Sequence, residues 1–388
     1  MGEKGNRRFG TYLRQIREDR SLTLDQIEES ALAYRVQISK AYLSRCENGI
    51  TKPNLERLSV LSKIYSTDLG LLIERHETEK ELEQTPPIDL TGLSFDEIHA
   101  AGKEQVLHGQ LKAAFMTFSA AHDLAVLEGG ESAAVRRAEA RLALSYVLSE
   151  MERYELACQE AGEVMRMKEI PELSVNRALI QIATCHYRLR RLHLAQMLIE
   201  GLERRVDSLP EKQVADVFHL SAVLATEFGR HRDAIQKARK AASLYRSRRY
   251  HPGEARSLEI AGASYLSLGE LERAVDYCER GLKIARRYEY RRLQAELACT
   301  LARAYARAGS RTKARAVLHE AMEIARAGDY KGVLLSCYLQ LLKVAIEEED
   351  MLTKASMLRS LRRLSTRVPV DDPGVMEFRA MEREGLCG

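Results

Sequence analysis

Three stretches of the sequence repeat one pattern: Gly229-Arg-His-Arg-Asp-Ala234, Gly269-Glu-Leu-Glu-Arg-Ala274 and Gly309-Ser-Arg-Thr-Lys-Ala314. Each stretch opens with a glycine, which tolerates the left-handed conformation that commonly ends a helix. An alanine follows five residues later, inside a segment that favours helix. The pattern predicts a tight turn between two helices, so we expect a fold built from a repeated helical pair.

Less regular copies of this pattern lie on both sides of the three. They reach an alanine at Ala114, Ala157, Ala195 and, in degenerate form, Ala355. From Ala114 to Ala355, consecutive alanines of the pattern are separated by about 40 residues, a period typical of a repeat array in which each unit is one supersecondary element.

The second helix of each unit carries small residues on one face. Ala274, Cys278 and Gly281 follow one another at spacings of four and three residues, which places them on the same side of a helix. Small residues at a helix crossing let the two axes approach closely. Because one helical pair cannot bury its apolar face alone, successive pairs are expected to stack.

These units resemble tetratricopeptide (TPR) repeats over about residues 95–365. The usual TPR period is about 34 residues, so about six additional residues per unit lengthen the helices or the loops. The resemblance implies an all-α chain in which a TPR-like α-solenoid of about seven helical hairpins occupies residues 94–368. Residues 369–388 are then a C-terminal tail.

Residues 7–75 have the pattern of five short helices. The stretch Ile38-Ser-Lys-Ala-Tyr-Leu-Ser-Arg-Cys-Glu-Asn-Gly49, with Lys52-Pro-Asn-Leu-Glu-Arg-Leu58 after it, resembles the Cro/C1-type (Xre) helix-turn-helix family. The resemblance implies a five-helix DNA-binding domain at residues 7–75. An acidic stretch that ends in two prolines predicts a linker at residues 76–93.

In this family the third helix enters the major groove of double-stranded DNA, so the resemblance implies that Lys40 to Glu47 is the recognition helix. Arg45 would bind a guanine, and Ser39 with the free amides at the helix start would hold a phosphate. The implied DNA-contacting residues are Thr23, Ser39, Lys40, Ala41, Ser44, Arg45, Asn48, Thr51 and Lys52. A helical bundle that binds only protein is the alternative interpretation.

Two local features of this domain lead to further predictions. Residues Leu32–Gln37 are an insertion of about six residues before the recognition helix, whose preceding turn usually has three or four, and they either extend the second helix or bulge outward. In the helix after Pro53, a spacing of three residues predicts that Leu55, Leu58, Leu61 and Ile64 face the core.

The combined architecture resembles the RRNPP group of peptide-sensing regulators. The resemblance implies a transcriptional regulator whose TPR groove binds a signalling peptide or a protein partner and whose solenoid forms a homodimer. By repeat register, the groove is expected to include Arg177, Tyr187, His219, Thr226, Arg256, Glu259, Glu296 and Arg303. The alternative is a TPR scaffold in which the N-terminal domain serves as a tether or a second docking module.

Composition bounds the remaining possibilities. Lys and Arg number 60 against 56 Asp and Glu, which is too even to indicate nucleic-acid binding by itself. No apolar run reaches the roughly 20 residues of a membrane span, and Met1 to Arg8 leads into no secretory signal, so we expect a cytoplasmic protein. Since no catalytic motif and no metal-ligand spacing occurs, neither an enzyme nor a cofactor is expected.

Overall fold

A computed structural model describes residues 7–83, 85–86, 88–128, 131–368 and 372–385. Within these ranges the chain forms 20 α-helices and one short 3-10 turn, with no β-sheet. The predicted all-α class is therefore confirmed. In the same ranges, no helix combines the length and the apolar character needed to span a bilayer.

The five predicted N-terminal helices are present, and side-chain caps set the starts of four of them. Thr23, Ser39, Asn54 and Asp68 each accept a hydrogen bond from a backbone amide in the first turn of the helix that follows. The bounds are α1 (Arg7–Asp19), α2 (Leu24–Leu32), α3 (Lys40–Glu47), α4 (Leu55–Ile64) and α5 (Leu69–Leu82).

Large apolar side chains from all five helices form one core, in which Phe9, Leu43 and Tyr65 are almost fully buried. Leu58 and Leu61 of α4 face this core, as predicted. The prediction for Leu55 is wrong, because its side chain is 62% exposed. Leu55 is the first residue of α4, one turn before the part of the helix that the other elements cover.

Helix α5 continues past residue 75 to Leu82, so the first seven residues of the predicted linker 76–93 are helical. The acidic side chains that suggested a linker are partly paired. Glu79 is 1% exposed and forms an ion pair of 2.7 Å with Arg75, while the ring of His76 packs edge-on against Phe9. Residues 84 and 87 lie outside the described residues.

Seven helical hairpins follow, in agreement with the predicted TPR-like solenoid. Their bounds are α6 (Phe95–Leu107) with α7 (Leu111–Glu128), α8 (Glu131–Glu150) with α9 (Tyr154–Arg166), α10 (Glu172–Arg188) with α11 (Leu192–Glu203), α12 (Glu211–Glu227) with α13 (His231–Ser247), α14 (His251–Ser267) with α15 (Leu271–Arg287), α16 (Arg291–Arg307) with α17 (Arg311–Ala327), and α18 (Lys331–Glu347) with α19 (Met351–Leu364).

The chain divides into two compact units. The first comprises Met1–Val106 and Gln110–Ser174, so α1–α5 group with the first two hairpins. The second comprises Leu107–Gly109 and Val175–Gly388 and holds the remaining hairpins. It also holds a final helix, α20 (Pro373–Arg383), within the predicted tail 369–388. Val375 and Phe378 of α20 are buried, and residues 369–371 and 386–388 lie outside the described residues.

The repeat alanines lie where two helices cross. All those from Ala114 to Ala314 belong to second helices and are fully buried. Ala355 of the degenerate seventh copy is exposed, which corrects its assignment. In α19 the buried position belongs to Leu358, which follows the buried Leu318 of α17 by one full repeat period. The structural repeat therefore continues to this end of the array.

Candidate functional site

Helix α3 is fixed against α1 by a close backbone approach and a buried ion pair. A Cβ atom at Gly10 would lie 2.4 Å from the carbonyl oxygen of Cys46, so only glycine fits there. Glu47 is 4% exposed, and its carboxylate accepts hydrogen bonds from Arg17 Nε at 2.7 Å and Arg14 Nε at 3.4 Å. Sequence reasoning missed Glu47, although it shares an inward stripe with Leu43.

The opposite side of α3 is open to solvent. Lys40, Ala41, Arg45 and Asn48 are exposed, and Ser44 is half-buried beside them. Among the described residues, the Arg45 guanidinium has no hydrogen-bond or ion-pair partner, so its five donors are available to a ligand.

Asn48 at the end of α3 is held in place. Its Nδ2 donates to the Ser44 carbonyl at 2.8 Å, and its Oδ1 accepts from Arg14 Nη2 at 2.8 Å. The amide side chain is therefore oriented from both ends. Since Arg14 also donates a hydrogen bond to Glu47, the Arg14–Asn48 hydrogen bond extends the contact between α1 and α3 to the solvent-exposed end of α3.

The start of α3 differs from the expected phosphate site. Glu28 Oε2 accepts the Lys40 backbone amide at 3.0 Å, and Ser39 Oγ accepts the Tyr42 amide at 3.2 Å. Lys40 Nζ also lies 2.8 Å from Asp25 Oδ1, a hydrogen bond that raises the pKa of the lysine. The prediction of free amides is thus wrong for Lys40, because α2 places a carboxylate at the positive helix end.

The other implied DNA contacts lie around α3. The Thr23 hydroxyl accepts the amide of the third residue of α2 at 3.2 Å within a capping box. After α3, the Thr51 amide donates to the Arg45 carbonyl at 3.3 Å, and the Tyr42 hydroxyl donates to the Lys52 carbonyl at 3.4 Å. These hydrogen bonds fix the loop after α3 against that helix.

The residues before α3 form a loop and do not extend α2. Helix α2 ends at Leu32, and residues 33–39 connect it to α3. The ring of Tyr34 lies 5.2 Å below Lys63 Nζ, which ties the loop to the end of α4. Arg35 is exposed and adopts a positive φ of 57°, where the chain reverses toward α3.

Helix α5 contacts α9 within the first compact unit. Glu74 Oε2 accepts the Leu156 amide in the first turn of α9 at 3.1 Å, and Arg153 Nη2 lies 2.9 Å from Glu81 Oε1. From α1, the Tyr12 hydroxyl reaches a glutamine of α9 at 3.4 Å. Burial raises the pKa of Glu74 to about 7, although the Leu156 amide acts in the opposite direction.

We expect Glu74→Gln to make the first unit less sensitive to pH. Above the ordinary carboxyl pKa of about 4.3, the unfolded chain loses a proton that the folded chain keeps until about pH 7. Stability therefore falls as pH rises through this window, and glutamine abolishes the loss. Urea unfolding should show the variant gaining about 1 kcal/mol relative to the parent between pH 5 and pH 8. If the free energy of unfolding changed equally with pH in the parent, in Glu74→Gln and in the exposed control Glu83→Gln, the role of Glu74 would be contradicted.

In the second unit, polar side chains from neighbouring first helices form a ladder. His219 of α12 lies 3.0 Å from Ser257 Oγ of α14, and Thr300 of α16 donates to Glu259 of α14 at 2.7 Å. The predicted groove residues on these three successive first helices are His219, Thr226, Arg256, Glu259, Glu296 and Arg303.

Burial and charge set the ionisation of this ladder. Burial lowers the pKa of His219 to about 3, with help from the Arg256 charge, so the imidazole is neutral at pH 7. Burial and the nearby Glu296 raise the pKa of Glu259. Burial also acts to raise the pKa of Glu296, but neighbouring guanidinium groups, Arg256 first, lower it overall. The groove therefore holds a carboxylate with several cations around it.

Two predicted groove residues come from α10. Arg177 is half-buried, and its charge acts on Asp216 of α12. Tyr187 reaches Glu227 through its hydroxyl at 3.4 Å. Sequence reasoning missed Asp216, which accepts the Tyr245 hydroxyl at 2.6 Å, because that bond joins residues 29 positions apart.

Comparisons with known proteins agree with this architecture. A family profile described as "Helix-turn-helix domain" matches residues 8–74. A solved structure of a Rap protein complexed with competence and sporulation factor is 13% identical, covers 92% of this chain and 98% of its own, and has a TM-score of 0.56. A STAND protein with a tetratricopeptide repeat sensor from Pyrococcus horikoshii is 15% identical, with 91% of this chain and 56% of that chain covered and a TM-score of 0.51.

A third solved structure is PlcR of Bacillus thuringiensis in complex with the peptide PapR7 and DNA. It is 14% identical, covers 75% of this chain and 99% of its own, and has a TM-score of 0.45. No curated protein matches the chain. The family profile and the two structures with TM-scores above 0.5 show that the chain joins an N-terminal helix-turn-helix domain to a TPR-like helical array.

Proposed function

We propose that this chain is a sequence-specific DNA-binding transcriptional regulator whose TPR-like hairpins bind an effector and form a homodimer. One observation carries the proposal: Arg45 lies exposed and without a partner among the described residues, on the solvent side of α3 in a helix-turn-helix domain. A guanidinium can form two hydrogen bonds to guanine O6 and N7, the commonest specific contact in the major groove.

The proposed interface divides the exposed residues by task. Arg45 reads a base edge, with Ala41 and Ser44 beside it on the helix. The small side chains of Ala41 and Ser44 let the helix approach the bases closely. The residues assigned to positioning on the sugar-phosphate backbone are Thr23, Ser39, Lys40, Asn48, Thr51 and Lys52.

The ladder of α12, α14 and α16 is the proposed effector groove. Its neutral imidazole, carboxylates and guanidinium groups offer both donors and acceptors, which suits a peptide backbone or a carboxylate on a protein partner. The Rap protein, which shares the fold, is complexed with competence and sporulation factor in its solved structure. A signalling peptide or a protein is therefore the proposed effector, and a cytoplasmic location is part of the proposal.

Regulation would follow from a coupling free energy between the two sites. An effector that prefers one arrangement of the hairpins shifts the protein toward that arrangement. In a homodimer, two recognition helices must meet half-sites about one DNA turn, or a multiple of it, apart. A changed spacing of the helices then alters affinity without altering any base contact.

Selection from a pool of randomised DNA duplexes tests the proposal, followed by fluorescence-anisotropy titration of the selected site. We expect Arg45→Ala to weaken binding about 10- to 100-fold and to relax preference at one base pair. The matched control Arg379→Ala removes the same charge from the exposed side of α20 and should leave affinity unchanged. No selected sequence, or equal losses in both variants, would contradict the proposal.

A second candidate is the TPR scaffold in which the N-terminal domain is a docking module. The observation that favours it is the start of α3, where Asp25 and Glu28 from α2 bond Lys40. Two carboxylates at this end repel a phosphate. The scaffold predicts no sequence preference at any salt concentration, whereas DNA recognition predicts an affinity that falls steeply with salt.

A further inference from the structure

A pocket of about 190 Å³ lies in the second unit, between the end of α17, the start of α18 and the end of α19. The cations that line it are Arg326, Lys331, Arg363 and Arg367, and its one carboxylate is Asp329. Their formal charges sum to +3. Ala325, Leu334 and Leu364 form an apolar wall beside them.

The repeat shows why this pocket is so basic. Arg246, Arg286 and Arg326 occupy the same position, one repeat period apart, in the last turns of α13, α15 and α17. Arg246 Nε pairs with Glu254 at 2.7 Å, and Arg286 Nε pairs with Glu320 at 3.1 Å. Among the described residues, Arg326 has no carboxylate partner, and its Nη2 donates to the Tyr338 hydroxyl at 3.3 Å.

Both earlier carboxylates are replaced in this repeat. Leu334 follows Glu254 by two repeat periods, and Ser360 follows Glu320 by one. Each stands at the equivalent position of its helix, and each lines the pocket. Because Leu334 and Ser360 stand where the earlier repeats have glutamates, Arg326 lacks the carboxylates that neutralise Arg246 and Arg286.

Two further arginines converge on the same point. Arg363 and Arg367 take the positions that Glu323 and Ala327 hold in the preceding repeat, so the change adds cations while it removes carboxylates. Neither guanidinium has an ion-pair partner among the described residues. The carboxylate of Asp329 in the same pocket lies 3.6 Å from Lys331 Nζ. A cation near a helix C-terminus is favourable by itself, but that effect does not explain three guanidinium groups around one cavity.

We propose that this pocket binds a small ligand through a phosphoryl group. Planar guanidinium forks match phosphate oxygens in pairs, and a phosphate monoester carries a charge of about −1.5 to −2 at neutral pH, which suits the excess of cations. The hydroxyls of Ser360 and of Tyr338, a residue that is 6% exposed, can donate to the same oxygens.

The size and the apolar wall narrow the ligand class. Pockets for drug-sized ligands measure about 300–1,000 Å³, so this one takes a phosphoryl group with a short body and not a whole nucleotide. Leu334 and Leu364 offer that body an apolar contact that inorganic phosphate cannot use. The proposed class is a small phosphate monoester, and the lining of the pocket shares no residue with α3 or with the ladder of first helices.

Isothermal titration of the full chain at constant ionic strength tests the assignment, with phenyl phosphate and inorganic phosphate as probes. We expect saturable binding of phenyl phosphate, at least tenfold tighter than that of inorganic phosphate. Arg363→Gln should weaken it at least tenfold. Ser360→Glu restores the carboxylate found one repeat earlier and should abolish binding, while Arg379→Gln on α20 is the matched control.

Circular dichroism verifies that each variant keeps its helical content, so a loss of binding can be assigned to the pocket. Equal affinities for the two probes would overturn the monoester class. Absence of binding at millimolar phenyl phosphate, or binding that survives both Arg363→Gln and Ser360→Glu, would overturn the site itself.

Discussion

Replacing Glu47 with glutamine is expected to destabilise the helix-turn-helix domain by about 3 kcal/mol. The carboxylate is buried between α1 and α3, where Arg17 Nε and Nη2 lie 2.7 and 2.9 Å from its two oxygens. Glutamine keeps the shape but removes the buried counter-charge of Arg17, whose side chain is 14% exposed, and leaves it only the exposed carboxylate of Glu18 at 3.3 Å. Loss of the buried partner of a buried charge costs far more than the intact pair contributes.

Hydrogen exchange measured by mass spectrometry on the full chain can detect this effect locally. Amides of α1 and α3 should lose protection by about two orders of magnitude, while amides of the second unit keep theirs. Glu29→Gln, on the exposed side of α2, is the matched control and should change little. If Glu47→Gln exchanged like this control, the ion pair would not anchor α3.

Gly10→Ala is expected to disrupt the same contact from the other side. The added Cβ would lie 2.4 Å from the Cys46 carbonyl oxygen and 2.6 Å from that of Glu47. Both atoms belong to the backbone of α3, so a side-chain rotation cannot relieve the clash, and the two helices must separate. Overpacking commonly costs about 1–3 kcal/mol, and backbone clashes place this variant at the upper end.

A matched control exists in α9. Gly162 lies inside that helix, and apart from its chain neighbours and the nearby backbone of α9, a methyl group added to it would meet no atom within 4 Å. Gly162→Ala should therefore stabilise the chain by about 0.5–1 kcal/mol. Urea unfolding should show a lower free energy of unfolding for Gly10→Ala and a higher one for Gly162→Ala than for the parent. A Gly10→Ala variant as stable as the parent would show that α1 and α3 do not pack as described.

The Glu47→Gln and Gly10→Ala variants also bear on the proposed function. Glu47 lies on the inner side of α3, away from Arg45, and Gly10 of α1 packs against that inner side, so we expect neither to touch DNA. We expect each to weaken DNA binding through loss of the folded domain, and lower temperature should restore part of the affinity. Arg45→Ala should keep full stability and lose affinity at every temperature.

The local signals in the sequence predict the helices with good accuracy. The expected recognition helix, Lys40 to Glu47, has the same bounds in the structure, because Ser39 caps its start and Asn48-Gly49 ends it. Leu55 shows the limit of the same reasoning. Helical spacing places it on the inward stripe, but at the start of α4 its side chain remains 62% exposed.

The candidate sites depend on partners that sequence spacing cannot supply. The α3 start is occupied by Glu28 from another helix, and the Thr300–Glu259 bond joins residues 41 positions apart. Such bonds form only once the helices have packed, since the distance between two side chains then depends on crossing geometry.

The all-α class, the seven hairpins, their repeat period and the exposed side of α3 follow from local signals, because helical periodicity, caps and turns act over a few residues. Which charges are neutralised depends on how the helices pack. Packing places Glu47 between two arginines and brings the Glu28 carboxylate to the first amide of α3. It also brings Arg326, Arg363 and Arg367 to the wall of one pocket. The physical reason is that electrostatic pairing depends on distances of a few ångströms between residues far apart in the chain.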